Sequence, residues 1–414
     1  MKPVWRGACT AGRNADGIKC VQVGWNLFPA SGGTYRAARL VKELLERAGI
    51  SSSVLTVHTY PHPADPLVEC ALSACALPIV GRYGWSQEVK RVLYDSLQSA
   101  SFAVIHGLYH HPAVAAAQTC RLLGKPFILI PHGGLDPWVF TYRKVRKIVW
   151  LKRHQHALFG PPSTLLFTSE LEREKASPWL CGASQHVLHW PVPAVQNADR
   201  HLAKQRLSVR LGIDPRQRVL LFCGRIHPVK RIVETVRAFL SVAPTQWTFL
   251  VVGPLHRGVD QREFLSLLMR SGGRVVHAGP MFGEDLADVY GMADALVLAS
   301  HKENFGHVLA EAAAHGLPVL ISDGVNLWPE IERVQAGRVI HDCSEDRMRH
   351  ELKKFLSLAP DDLARLGANG RAWARTALSP EAIQMRMEEI VRGLFARRGD
   401  SKPDDGAPLA VANR

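Results

Sequence analysis

Short apolar runs and amphipathic stretches alternate along almost the whole chain. Lys19 to Trp25 reads as a buried strand, followed by the loop NLFPASGG. The next stretch, TYRAARLVKELLERAG, repeats its apolar positions at helical spacing and stops at Gly49. SSSVLTVHT supplies another strand, and a less regular, proline-containing stretch runs to Gly84. The alternation then resumes, with SQEVKRVLYDSLQSA as helix, FAVIH as strand, HPAVAAAQTCRLLG as helix and PFILIPHGG as strand and loop. After a basic segment around Tyr142 to His156 come STLLFTS and SQHVLHWPV. Strands joined by helical connections imply parallel sheets with right-handed crossovers.

A second series begins after the polar, proline-bearing segment from Pro193 to Arg206. Its strands are RVLLFCG, WTFLVVG, GRVVHAG, DALVLAS and PVLISD, with helical segments between them. DLARLGANGRAWARTAL and SPEAIQMRMEEIVRGLFARR read as two closing helices. The expectation is two α/β halves, residues 1–196 and 197–378. A helix over 379–398 is expected to cross back to the first half, ahead of a disordered tail over 399–414. At 414 residues and 47% hydrophobic content, the chain can fill more than one core.

Charge narrows the partners. Lys and Arg total 51 against 37 Asp and Glu, and the formal net charge of +14 favours anions. Nucleotide phosphates, lipid phosphates and acidic membranes qualify; no RNA-binding module, zinc finger or glycine–arginine tract points to nucleic acid. The eight cysteines (Cys9, Cys20, Cys70, Cys75, Cys120, Cys181, Cys223 and Cys343) are irregularly spaced, as buried reduced thiols are. Cys70 and Cys75 have no second pair to complete a metal site, so no metal is expected. Met1 to Gly17 lacks an apolar stretch of signal-peptide length, and no run reaches the roughly 20 apolar residues of a membrane helix. The expectation is a cytoplasmic protein. The basic stretch TYRKVRKIVWLKRH groups Arg143, Lys144 and Lys147 on one helix, with Val145, Ile148 and Val149 elsewhere. That pattern suits a solvated face or peripheral attachment to the anionic inner face of a plasma membrane.

Candidate chemistry concentrates where strands end. In GMADALVLASHKENFGHVLAEAAAHGLPVLIS a strand leads through a loop with Glu303 and Asn304 into a helix starting near Gly306 and carrying Glu311. Strand carboxyl ends are where open α/β sheets bind ligands. The N–H groups of Asn304, Phe305, Gly306 and His307 suit a phosphate there. Both glutamates suit the hydroxyls of a sugar or ribose. In LLFCGRIHPVKRIVETVRAF, a turn at Gly224 precedes Arg225 and Lys230, two cations placed to clamp a diphosphate. HAGPMFGEDLADVY offers another strand-to-helix turn at Gly279, Pro280 and Met281. In the first half, Gly32 and Gly33 lie between strand and helix without the G-x-G-x-x-G spacing of a dinucleotide site. FAVIHGLYHHP and FILIPHGGLDPW place His106, His110, His132 and Asp136 at strand ends, with Asp136 also suited to a turn before Pro137.

The motif Glu303-x7-Glu311 within ENFGHVLAEAAAHGLPV resembles the EX7E signature of the GT4 family of retaining glycosyltransferases, which have the GT-B fold. The resemblance spans roughly Val21 to Arg392. It implies two Rossmann-like domains facing across a cleft, and transfer from a UDP- or GDP-linked sugar to a hydroxyl of a glycan or lipid-linked acceptor. It implies a place in exopolysaccharide, lipopolysaccharide or other envelope glycan synthesis. Arg225 and Lys230 would hold the donor diphosphate, with Gly32 and Gly33 reaching it across the cleft. Glu303 would face the transferred sugar, Glu311 the ribose, and Gly279 to Met281 the base. His132 would bond a sugar hydroxyl; His106, His110 and Asp136 would lie on the acceptor side. No cofactor is implied, and two cations replace a metal. A sugar-nucleotide epimerase or hydrolase of the same fold, or a non-catalytic nucleotide-sugar-binding protein, is the alternative.

Overall fold

The computed structural model describes residues 17–58, 65–74, 83–85, 87–193, 195, 200–256, 261–342 and 344–396. The expected tail, part of the link between the halves, and Cys9, Cys75 and Cys343 lie outside them. Seven strands form the first sheet: β1 (Lys19–Trp25), β2 (Ser51–His58), β3 (Cys70–Ser73), β4 (Phe102–His106), β5 (Phe127–Ile130), β6 (Ser163–Phe167) and β7 (Ser184–Val187). Six form the second: β8 (Arg218–Cys223), β9 (Trp247–Val252), β10 (Val275–Gly279), β11 (Ala295–Leu298), β12 (Val319–Ser322) and β13 (Gly337–Ile340). The orders are β3-β2-β1-β4-β5-β6-β7 and β10-β9-β8-β11-β12-β13. All the ladders are parallel. Each sheet therefore reverses direction of growth once, between β1 and β4 and between β8 and β11. Such switch points open the crevice that binds ligands.

Central strands are buried on both faces, so they read as continuous apolar runs such as WTFLVV, all six residues of which are buried. Two strands escape the sequence pattern, β3 (CALS) and β13 (GRVI). Both are four residues long and sit at sheet edges, where one face or side needs no apolar cover. The helix Gly33–Arg47 buries Ala37, Ala38, Val41, Leu44 and Leu45, one stripe at helical spacing. Burying Leu44 and Leu45 contributes about 1.5–3 kcal/mol each.

The sequence implies a core in each half, and the packing joins them. One buried cluster runs from Val41 and Leu44 through Ile383, Met387 and Ile390 to the second sheet. The helix Pro380–Ala396 makes the link. Gln384 donates to Leu44 O at 3.1 Å, and Phe395 meets Phe102 edge-on at 6.1 Å. The two chain segments that pass between the halves lie side by side, with Val192 N–H donating to Leu378 O at 2.9 Å.

Candidate functional site

The two switch points face each other, and the loops leaving β1, β4, β5, β8 and β11 meet between them. After β8, Gly224 N–H bonds Val252 O at 2.9 Å, and Gly253 N–H bonds Gly279 O at 2.8 Å. Gly224, Gly253 and Gly279 thus line adjacent strand ends without side chains. Pro280 beyond them is exposed, and Met281 is half-buried with its Sδ 3.6 Å from Arg210.

Arg225 is exposed, and Lys230 ends a short turn, Pro228–Lys230, capped by His227. The Lys230 ammonium pairs with the Glu303 carboxylate. Burial, then the nearby Arg225, pulls the Lys230 pKa down to about 8. Its neighbour Arg231 is buried at 5% exposure and lies 3.8 Å from Glu234, so it is engaged within its own helix start. Across the cleft, a Cβ at Gly32 would come within 3.9 Å of the Arg225 guanidinium, while Gly33 begins the helix with open space beside it.

Glu303 is fixed by its backbone. Its N–H donates to Gly324 O at 2.8 Å, and its carbonyl accepts from Asn326 N–H at 3.0 Å. Gly306, at φ +71°, turns the chain into the helix His307–Ala314. A side chain there would be strained and would press on Glu303 Cγ at 3.2 Å. Phe305 is buried and His307 half-buried. Burial, then Arg36 and His132, depresses the His307 pKa to about 3. Glu311, one turn into the helix, accepts from Tyr290 Oη at 2.7 Å and from Arg36 of the first half at 2.5 Å.

His132 follows β5 at φ +51°. Its Nε2 lies 3.1 Å from His106 Nδ1, and His106 Nε2 lies 2.8 Å from the Gln22 amide. Turned so that its nitrogen meets Ala38 O and His106 Nε2, the Gln22 amide satisfies all its neighbours. His106 Nδ1–H is then the donor to His132, whose own proton sits on Nδ1. Burial holds His132 at about 4 and His106 well below its usual value, so both rings are neutral at pH 7. His106, 2% exposed, therefore stands behind His132 rather than at the cleft surface. His110 stacks on Trp25 at 4.8 Å. Asp136, 6% exposed, caps the turn Pro137–Thr141 through Trp138 N–H and pairs with Lys175 at 3.1 Å. The turn accounts for the Trp138 bond, and the Lys175 pair ties the turn to the helix Glu170–Ala176.

His132, Arg225, Lys230, Glu303, Gly306 and Glu311 thus converge on one cleft, together with residues that no motif singled out. Arg36 lies three positions beyond Gly33 and could have been read from that spacing. Tyr290, Lys302, Thr168, Glu172 and Asn326 carry no motif, because what marks them is contact with the motif residues, within one half for Tyr290 and across the cleft for Lys302 and Thr168. Lys302 Nζ donates to Gly133 O at 2.6 Å, Asn304 Nδ2 to Thr168 Oγ1 at 3.0 Å, and Lys175 Nζ to Asn326 Oδ1 at 2.8 Å. Among the described residues there is no cluster of His, Cys, Asp and Glu suited to a metal, and Cys20, Cys120, Cys181 and Cys223 are free thiols.

Residues 203–373 match the family described as glycosyl transferases group 1. A D-inositol 3-phosphate glycosyltransferase of Gordonia bronchialis is 29% identical over 223 residues, which cover 51% of this chain and 48% of that one. The chain spans about half the length of the curated relatives it matches. Two solved structures share its architecture over their full length. The sucrose-phosphate synthase of Thermosynechococcus elongatus has TM-score 0.70 at 19% identity, covering 92% of this chain. HepE of Anabaena, in complex with UDP and glucose, has TM-score 0.70 at 17% identity over 91% of this chain. The match to the glycosyl transferases group 1 family is thus confined to residues 203–373, in the second half, while the two facing parallel sheets of the whole chain have the GT-B fold.

Proposed function

We propose that the chain is a retaining glycosyltransferase that moves a sugar from a uridine diphosphate sugar to a hydroxyl of a glycan or lipid-linked acceptor. The observation that carries this reading is the pairing of Lys230 with Glu303 beside Arg225 at the second switch point, facing His132 of the first. In the reaction, the bond from the anomeric carbon to the β-phosphate oxygen breaks and the diphosphate leaves with the electron pair. The acceptor oxygen attacks from the same face, and its proton passes to the departing phosphate oxygen. Arg225 and Lys230 stabilise the charge that accumulates there, the largest catalytic contribution available to such a site. Lys230 then exchanges the Glu303 carboxylate for the diphosphate, which leaves Glu303 to face the positive charge growing on the sugar. Neutral His132 donates to a sugar hydroxyl. Uridine is favoured over guanosine because HepE, of the same fold, is described in complex with UDP and with UDP-glucose. Calorimetry with UDP and GDP tests the donor side: UDP should bind at least tenfold more tightly. Folded protein that binds neither would overturn the reading.

The acceptor side favours attachment to an anionic membrane surface. No helix among the described residues is long and apolar enough to cross a membrane. On the helix Lys144–Phe159 and the turn before it, however, Tyr142, Val145 and Val149 are 63%, 75% and 60% exposed. Between Asp136 and Glu170 there is no acidic residue, while Arg143, Lys144, Arg146, Lys147, Lys152 and Arg153 are basic. Apolar side chains ringed by cations insert at the headgroup boundary of acidic lipid. Co-sedimentation with phosphatidylglycerol vesicles, absent with phosphatidylcholine and lost in a Val145→Asp/Val149→Asp variant, is the expected result. Equal partition to both lipids would remove the membrane from the reading.

A further inference from the structure

Glu172 has a carboxylate that neither the family motif nor the reaction uses. It lies in the first turn of the helix Glu170–Ala176, in the stretch Ser169-x-x-Glu172 that reads as a capping box. One half of the box forms: Ser169 Oγ accepts from Glu172 N–H at 3.1 Å. The other half does not. Instead of returning to the Ser169 N–H, the carboxylate is 4% exposed and divides between two other places. Oε1 accepts from Gly133 N–H at 2.7 Å, and Oε2 accepts from Thr168 N–H at 2.7 Å and Thr168 Oγ1 at 2.8 Å. Among the described residues, no Lys, Arg or His nitrogen lies within 4.0 Å of it. Burial pushes its pKa up, and the Thr168 and Gly133 N–H groups, the Thr168 hydroxyl and the Asn304 amide pull it back. Lys302 feels its charge without touching it, and a buried carboxylate with no cation in direct contact costs more than the apolar side chain it could have been.

Its partners explain its placement. Gly133 follows His132, and the peptide is gripped from both halves, with its N–H on Glu172 and its carbonyl on Lys302 Nζ at 2.6 Å. Gly133 sits at φ +68°, and a Cβ would fall 2.9 Å from Asn304 Oδ1. The Thr168 hydroxyl, donating to Glu172, accepts from Asn304 Nδ2 at 3.0 Å. Lys302 and Asn304 flank Glu303. One carboxylate therefore reaches both sides of the reacting centre: the His132 turn directly, and the Glu303 loop through Thr168.

We propose that Glu172 is a positioning residue for glycosyl transfer, setting the left-handed His132–Gly133 turn and, through the Thr168 hydroxyl and Asn304 amide, registering it against the Glu303 loop across the cleft. The inference rests on the glycosyltransferase reading for its catalytic consequence. The coupling of the two loops stands without it.

Glu172→Gln tests the carboxylate, because an amide has one acceptor and sets a donor against the Gly133 or Thr168 N–H. Thr168→Val removes the bridge to Asn304 and keeps the Glu172 bonds to backbone. The full-length variants are compared with wild type in UDP calorimetry, in UDP release from UDP-glucose with kcat and KM separated, and in backbone hydrogen exchange. In Glu172→Gln, kcat should fall at least tenfold with KM and UDP affinity within twofold of wild type. Segments 131–136 and 301–306 should both exchange faster, while the central strands stay protected. In Thr168→Val, acceleration should be confined to 301–306, with a smaller loss of kcat. An active wild type with unchanged kcat in Glu172→Gln overturns the positioning role. Acceleration confined to 131–136 in Glu172→Gln overturns the coupling. If wild type neither binds UDP nor releases it from UDP-glucose, the donor reading falls by itself, and the exchange at the two segments still decides the coupling.

Discussion

The loop Lys302–His307 and the loop Pro131–Asp136 face each other across the cleft and are built in opposite ways. The first carries its reactive side chain and its turn-forming glycine in one short stretch, although distant residues also hold it. Glu303 is anchored to Gly324 and Asn326 nearby, and Gly306 supplies the left-handed turn that starts the helix. The second owes its shape to residues far away in sequence. Gln22 and His106 back His132, Glu172 holds Gly133 N–H, and Lys302 holds Gly133 O. A loop whose reactive side chain and turn-forming glycine lie three residues apart repeats as a motif and can be read from sequence. A loop held by dispersed contacts leaves only a histidine and two glycines to see.

The sharpest test of that contrast is Lys230→Ala, where the largest effect is expected. Loss of a cation on the leaving diphosphate should lower kcat by about 10²–10³-fold without unfolding the protein. Arg231 should not compensate, since it is buried beside Glu234. Saturating-donor rates on the soluble variant check this, with Arg225→Ala alongside; wild-type turnover in both would remove the diphosphate clamp.

Next in size are the two glutamates, which should fail differently. Glu311→Gln should weaken UDP binding about tenfold, the scale of a lost charge-assisted hydrogen bond. Glu303→Gln should leave UDP affinity nearly intact and lower the single-turnover rate, since a contact made only in the transition state acts on kcat. If Glu303→Gln instead loses UDP with its bound-state rate preserved, the two carboxylates have been assigned to the wrong ends of the donor.

Gly133→Ala probes the dispersed loop by itself. A left-handed alanine whose Cβ meets Asn304 should cost about 1–3 kcal/mol of stability. Turnover should fall further than UDP affinity. Thermal unfolding and kinetics together check it; an alanine that is silent in both would mean that the distant contacts do not shape this turn.

The smallest effect is on pH. With Lys230 titrating near 8, its charge is present below that pH and lost above it. UDP affinity should therefore decline severalfold as pH rises from 7 to 9, and the decline should flatten in Lys230→Gln. The neutral His132 and His106 predict no corresponding break between pH 5.5 and 7.5. Calorimetry across the pH series separates these outcomes.

The amino-acid sequence by itself determined the α/β alternation, the two parallel sheets and the contiguous Glu303–Glu311 stretch, because buried central strands and amphipathic helices write their periods locally. It left β3 and β13 unmarked, since short edge strands need little apolar cover. Of Gly32 and Gly33 it favoured Gly33 for the donor phosphates, whereas the facing of the halves brings Gly32 beside Arg225. Asp136 suited a turn or an acceptor; the folded chain gives it Trp138 N–H and Lys175. Arg36 on Glu311, His106 behind His132, and Glu172 under Gly133 were decided by tertiary structure alone. Their partners lie 275, 26 and 39 residues away, and no pattern within one helix or strand records a hydrogen bond over that separation.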